Sequence, residues 1–177
     1  MLADIRNYAN PAFFLPILAA SSFVDTAGLF VWKYTSPAGS PIQKWYNVFG
    51  LSAYIIDVCS IMIGVVLTQL IASVIGGAWN PVFFCILAVA IQMTHDLFFG
   101  NVVVPFIPQG HNAVMDLMKE YVKIKNPGGI LIVDAIYMIL TSLIVMVLAR
   151  SPAWMSWGLI LLVFYVTGYI LFTHYRR

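Results

Sequence analysis

Charge is what this chain lacks. Of its 177 residues only 9% are Asp, Glu, Lys or Arg, against about 25% in soluble domains. The mean hydropathy is +0.92, so there is too little polar surface to cover a water-soluble globule. Cysteine is nearly missing as well. Cys59 and Cys85 fall in separate apolar runs, with no CxxC pair and no metal-ligand spacing, which leaves them as small hydrophobes and excludes a disulfide scaffold. No basic cluster exceeds two adjacent residues and three spaced lysines, so nucleic acid is not an expected partner. The sequence has no serine nucleophile elbow, Gly-rich phosphate loop, His-rich di-iron box or selectivity-filter stretch. The reading therefore leans away from an enzyme and requires no cofactor. The opening residues, MLADIRNYANPAFF, lack a basic region, a short apolar core and a cleavage site, so the first apolar run is expected to stay in the mature protein.

What the chain has is hydrophobic residues, 62% of the total, in blocks of roughly 20, the length a helix needs to cross ~30 Å of hydrocarbon. The blocks do not alternate, which excludes a transmembrane barrel. The expected fold is an all-α integral membrane protein. It is a single transmembrane domain over residues 1–177, a compact bundle of about five helices near 11–33, 48–72, 82–104, 130–149 and 153–173. Pro11 and Pro16 are tolerated in first turns. YTSPAGSPIQKW reads as a polar, proline-rich loop, IGGAWNP as a turn, and Arg150–Pro152 as a tight connection. Residues 109–125, QGHNAVMDLMKEYVKIK, differ in kind. Val114, Leu117, Met118, Tyr121 and Val122 recur at helical spacing while Asp116, Lys119, Glu120 and Lys123 point elsewhere, the pattern of an amphipathic interfacial helix between spans three and four. His111 and Asn112 stand where its N-cap belongs, and His111 and Asp116 read as capping and solvating groups.

Lysine and arginine set the expected orientation. Five spans put Arg6 and Arg150 on one side. Lys33, Lys44, Lys119, Lys123, Lys125, Arg176 and Arg177 fall on the other, placing the N-terminus outside or lumenal and the C-terminus in the cytosol. Trp32, Trp45, Trp79, Trp154 and Trp157 fall near span ends, where aromatic belts form. His174 groups with the terminal arginines at the interface.

Inside the spans stand Asp25, Asp57, Asp96 and Asp134, with Gln92 and His95. At ~1.5 Å per residue, the four acids fall at one level in the cytosolic half. Asp25 shares a face with Ser21, Ser22 and Gly28; Asp57 with Ser60, Gly64 and Thr68; Asp134 with Tyr137, Thr141 and Ser142. Small and hydroxylated residues at such spacing mark faces turned toward other helices. Gln92, His95 and Asp96 are expected in one sector, with His95 the one deep group able to carry positive charge. The surplus acid must be neutral, share protons or hold a cation. The plain alternative is that these groups are interhelical hydrogen-bond partners fixing register. A divalent metal on His95 and Asp96 is a weaker reading, since no HxxxH or ExxH pattern supports it.

QMTHDLFF, then FIPQGHNAVMDLMKEYVK, then GGILIVDAIYMI resemble a pattern in uncharacterised small polytopic membrane proteins encoded by large DNA viruses of algae and protists. The likeness covers roughly residues 90–140, and the matching positions are Gln92, His95, Asp96, Asn112, Asp116, Lys119, Tyr121 and Asp134. It implies a virion or host-membrane setting and brings no activity with it. Two functions follow from the sequence, with a metal-dependent membrane enzyme using His95 and Asp96 as a third, less favoured reading. One is a non-enzymatic five-span membrane component that shows its interfacial helix and basic terminus to a protein partner or anionic lipid. The other is a proton- or cation-handling protein working through Asp25, Asp57, Gln92, His95, Asp96, Asp134 and Tyr137. The expected surroundings are the lipid bilayer and, for so small a chain, a second copy or another membrane protein.

Overall fold

The computed structural model describes residues 2–35, 40–122 and 127–173, excepting the side chains of 127–130. Lys123, Lys125, His174, Arg176 and Arg177 lie outside that set. A short 3-10 turn, Pro11–Phe13, leads into α1 (Phe14–Thr35). There follow α2 (Pro41–Phe49), α3 (Leu51–Ile75), α4 (Pro81–Phe98), a π turn (Phe99–Val103), α5 (Val104–Phe106), α6 (Ala113–Val122), α7 (Pro127–Leu148) and α8 (Ala153–Phe172). No strand occurs among the described residues. Five segments are long and apolar enough to cross a membrane: Pro11–Thr35, Leu51–Ile75, Pro81–Phe106, Leu131–Leu148 and Ala153–Phe172. The protein is an all-α, polytopic membrane bundle.

α1 packs on α3, α7 and α8, while α4 packs on α3 and α7. Four helices, α1, α3, α4 and α7, therefore enclose the core, and α8 lies chiefly against α1. Ile17 and Ala20, Ile61 and Val65, Phe84 and Ala88, and Met138 and Val145 fill the half nearer the N-terminus. That end is closed by the residues before α1. Ile5 is fully buried, its carbonyl accepts from Gln69 Nε2 at 2.6 Å, and Ala3 N–H donates to Met146 O. Arg6 anchors the closure. It pairs with Asp4 at 2.7 Å, donates to Gly77 O and lies over the Trp79 ring.

The hydrogen bond from Arg6 holds the Asp4 carboxyl below its ordinary 3.8. A depressed carboxyl contributes stability that is fully present above its ordinary value and is lost as pH falls from there through the lower value it has in the fold. Acidification below about pH 4 is therefore expected to speed hydrogen exchange at Ala3 and Arg6, beyond the intrinsic change, while α8 stays protected. Equal behaviour in both places would show that the closure does not depend on this ion pair.

The opposite end carries a cover the sequence reading missed. Pro41–Trp45, expected as the end of a loop, instead opens the helix α2, Pro41–Phe49. Ser40 caps it by accepting from Gln43 N, Pro41 sits in its first turn, and Ile42, Trp45, Tyr46 and Phe49 form an apolar stripe. Gly50, at φ 52°, then turns the chain into α3 while its N–H donates to Tyr46 O, a backbone geometry that favours glycine. Trp45, read as an interfacial belt residue, is instead 3% exposed, because it lies on that stripe.

The amphipathic helix expected over 109–125 is α6. Asn112 Oδ1 accepts from Val114 N and Met115 N, Asp116 accepts from Gly110 N, and Lys119 Nζ donates to Ile107 O. His111 is exposed, its Nδ1 beside Gln109 O. The apolar face of α6 does not stand free. Leu117, Val114, Met118 and Tyr121 pack against Trp45, Tyr46, Leu29 and Ile170, and Lys44 joins α2 to Glu120 of α6 at 2.7 Å. Replacing Asn112 with alanine is expected to cost about 1 kcal/mol, read as a lower thermal midpoint with α6 exchanging first. An unchanged midpoint would mean that α6 is held by its apolar face alone.

Candidate functional site: an acid layer beneath the α2–α6 cover

Asp25 stands ten residues before the end of α1 at Thr35, and Asp57 six after Leu51. Asp96 stands ten before Phe106, and Asp134 seven after Pro127. All four thus lie roughly 9–15 Å along their helices from the covered end. Each comes from one of the four core helices, and α8 supplies none. Asp25 is 1% exposed and lies within electrostatic reach of Asp57. Asp134 lies within reach of both Asp57 and Asp96.

The cover supplies donors. Trp45 Nε1 and Tyr46 Oη both donate to Asp57 Oδ2, at 2.8 and 2.9 Å. Burial, with Asp25 and Asp57 close by, pushes the Tyr46 phenol well up. Burial beside Asp57 and Asp134 does the same to Tyr121 of α6. Both phenols therefore stay protonated, and that of Tyr46 donates to Asp57. Tyr137 of α7 reaches α1, where its Oη lies against the open face of Gly28.

On α4, Gln92 Nε2 donates to Asp96 Oδ1 at 2.8 Å, and Gln92 Oε1 packs where a side chain on Gly64 would otherwise stand. Asp134 of α7 lies close to Asp96, and Asp96 Oδ2 is buried with no hydrogen-bond partner among the described residues. His95 Nδ1 lies 3.1 Å from Asp96 Oδ1, but its side chain is 43% exposed and its ring stacks on Phe99. The sequence reading put Gln92, His95 and Asp96 in one sector. Gln92 and Asp96 do share an inward face, and the 100° step between adjacent residues carries His95 to the rim. No three His, Cys, Asp or Glu side chains form a metal-ligand set among the described residues. His95 and Asp96 are a pair.

A cavity of about 160 Å³ lined by Leu29, Trp32, Lys33, Ile42, Gln43, Tyr46, Asn47 and Thr173 opens at the covered end. Its wall includes Tyr46, the residue that donates to Asp57, and none of the four acids lines it. The sequence reading found the acids, Gln92, Tyr137 and Tyr121, and missed Trp45 and Tyr46. Their signal was the Ser–Pro start and the i, i+3, i+4, i+7 stripe that begins within what looked like loop. No family model, no curated protein and no solved structure matches the chain.

Proposed function

We propose that the chain is a proton- or cation-handling membrane protein whose working site is the acid layer, with α2 and α6 as its cover. One observation carries this reading. Each of the four core helices delivers one carboxyl to the same level, and among the described residues no lysine or arginine pairs with any of them. Helices that needed only register could use neutral hydrogen-bonding side chains at far smaller desolvation cost. A layer that exchanges its counter-charge needs acids. The cavity beside Tyr46 lies on the covered side of the layer, separated from Asp57 by the Tyr46 side chain, and the packed apolar half supports a barrier toward the other side. The covered end, bearing Lys33, Lys44 and Lys119, faces the cytosol, and the end bearing Arg6 and Arg150 faces outward.

Purified protein in liposomes with an internal pH dye, driven by an imposed membrane potential, tests the reading. Wild type should carry protons or cations, and Asp96→Asn should lose that flux while keeping its thermal midpoint within a few degrees. Inert wild type would favour the purely structural membrane component.

A further inference from the structure

Resting on that reading, we propose that Asp25 forms, with the hydroxyls of Ser21 and Thr141, a binding site for one dehydrated alkali-metal cation of sodium size between α1 and α7. The first observation is hydrogen-bond deficit. Ser21, Ser22, Thr141 and Ser142 are fully buried and Asp25 is 1% exposed, yet Asp25 Oδ2 and all four hydroxyl oxygens have no hydrogen-bond partner among the described residues. Buried polar groups in native structures are almost always satisfied, so a concentration of five such oxygens on two touching helices marks a place where a ligand belongs.

The second observation is register. A side chain at Gly28 would meet Tyr137 Oη, so the Gly28 face of α1 looks at the Tyr137 face of α7. At 100° per residue, Ser21 and Asp25 lie within about 60° of Gly28 on α1, and Thr141 lies about 40° from Tyr137 on α7. The helices run antiparallel. Stepping from Gly28 back to Asp25 and from Tyr137 on to Thr141 moves both in the same direction, which brings Asp25 and Thr141 to one level. Ser22 and Ser142, about 120° from Gly28 and about 140° from Tyr137, lie off that line.

The donor set selects the ion. Hard cations take oxygen ligands, several at once, so a single ion satisfies oxygens that one proton on Asp25 cannot. One carboxylate balances one positive charge. A divalent ion would need a second, and Asp57 already has its Oδ2 engaged by Trp45 and Tyr46.

The test is thermal unfolding of the full-length protein in detergent while sodium chloride replaces choline chloride at constant ionic strength. Wild type should be stabilised along a saturating curve, and the isosteric Thr141→Val should raise the half-saturating concentration about tenfold or more, the loss expected for one ligand bond to a charge. Ser21→Ala should act alike. Ser156→Ala, which removes a buried unpartnered hydroxyl on α8 outside the cluster, should leave the curve in place. No sodium dependence in wild type, or an unmoved curve in Thr141→Val, overturns the site. Flux in liposomes separates the two readings. Proton flux indifferent to sodium, with no sodium-dependent stabilisation, overturns the cation site and leaves the acid layer's role intact. Sodium-dependent stabilisation in a protein that carries nothing keeps the site and removes the transport reading.

Discussion

Asp57→Leu is expected to lower stability by about 3 kcal/mol and to loosen α2 from the bundle. Asp57 Oδ2 accepts from both Trp45 Nε1 and Tyr46 Oη, and those side chains are 3% and 8% exposed. Leucine removes the acceptor and leaves two buried donors, each costing about 1–3 kcal/mol unsatisfied. Relief from burying a carboxylate offsets part of that loss. Asp57→Asn keeps one carbonyl oxygen in place, so its cost should be near 1 kcal/mol, the scale of one weakened bond. Tyr46→Phe removes one donor and leaves Trp45 with the acceptor, and should resemble the asparagine variant. With Trp32, Trp79, Trp154 and Trp157 replaced by Phe so that Trp45 alone emits, the emission should shift toward the red below the global midpoint in the leucine variant only, as α2 detaches. If Asp57→Leu proves as stable as wild type, α2 is held by its apolar stripe and the two hydrogen bonds contribute nothing net.

This arrangement shows what could be read in the sequence and what could not. The spans were legible because composition and block length suffice to define a membrane helix. The shared level of the acids was legible because rise per residue converts position into depth. Asn112 was legible as a cap because capping is local chemistry between a side chain and the next two or three amides. Facing was harder. Helical spacing told that Gln92 and Asp96 share a side, but His95 was swept into the same sector and stands at the rim, since a window of two adjacent polar residues spans 100° of the helix. Trp45 was assigned to the interface because aromatic residues near span ends usually sit there. Only the helical fold of Pro41–Phe49, a short amphipathic segment hidden by its prolines, turns that indole onto Asp57. Likewise the apolar face of α6 looked like a lipid contact, because one sequence cannot tell lipid from a second short helix as the surface that covers it.

Gly28→Val should cost about 3 kcal/mol, and the reason is a contact rather than a backbone angle. A Cβ at position 28 would stand 1.3 Å from Tyr137 Oη, 2.3 Å from Cζ and 3.1 Å from Cε1. The ring must therefore withdraw as a whole, since removing the hydroxyl alone still leaves Cζ too close. Withdrawal opens the α1–α7 seam near Asp25. Overpacking of this kind costs about 1–3 kcal/mol, and a collision with the ring itself belongs at the upper end. Gly28→Ala should show most of the effect, because its Cβ already makes the collision. Tyr137→Phe should therefore rescue Gly28→Ala only in part, whereas Tyr137→Leu, which removes the ring's far end, should recover more than half. A double-mutant cycle between positions 28 and 137 is expected to give a coupling of about 1–2 kcal/mol, the range for residues in direct contact. Strict additivity would mean that Tyr137 leaves Gly28 without cost. The facing of α1 and α7 would then have to be set by the apolar packing of Ile17 and Ala20 against Met138 and Val145.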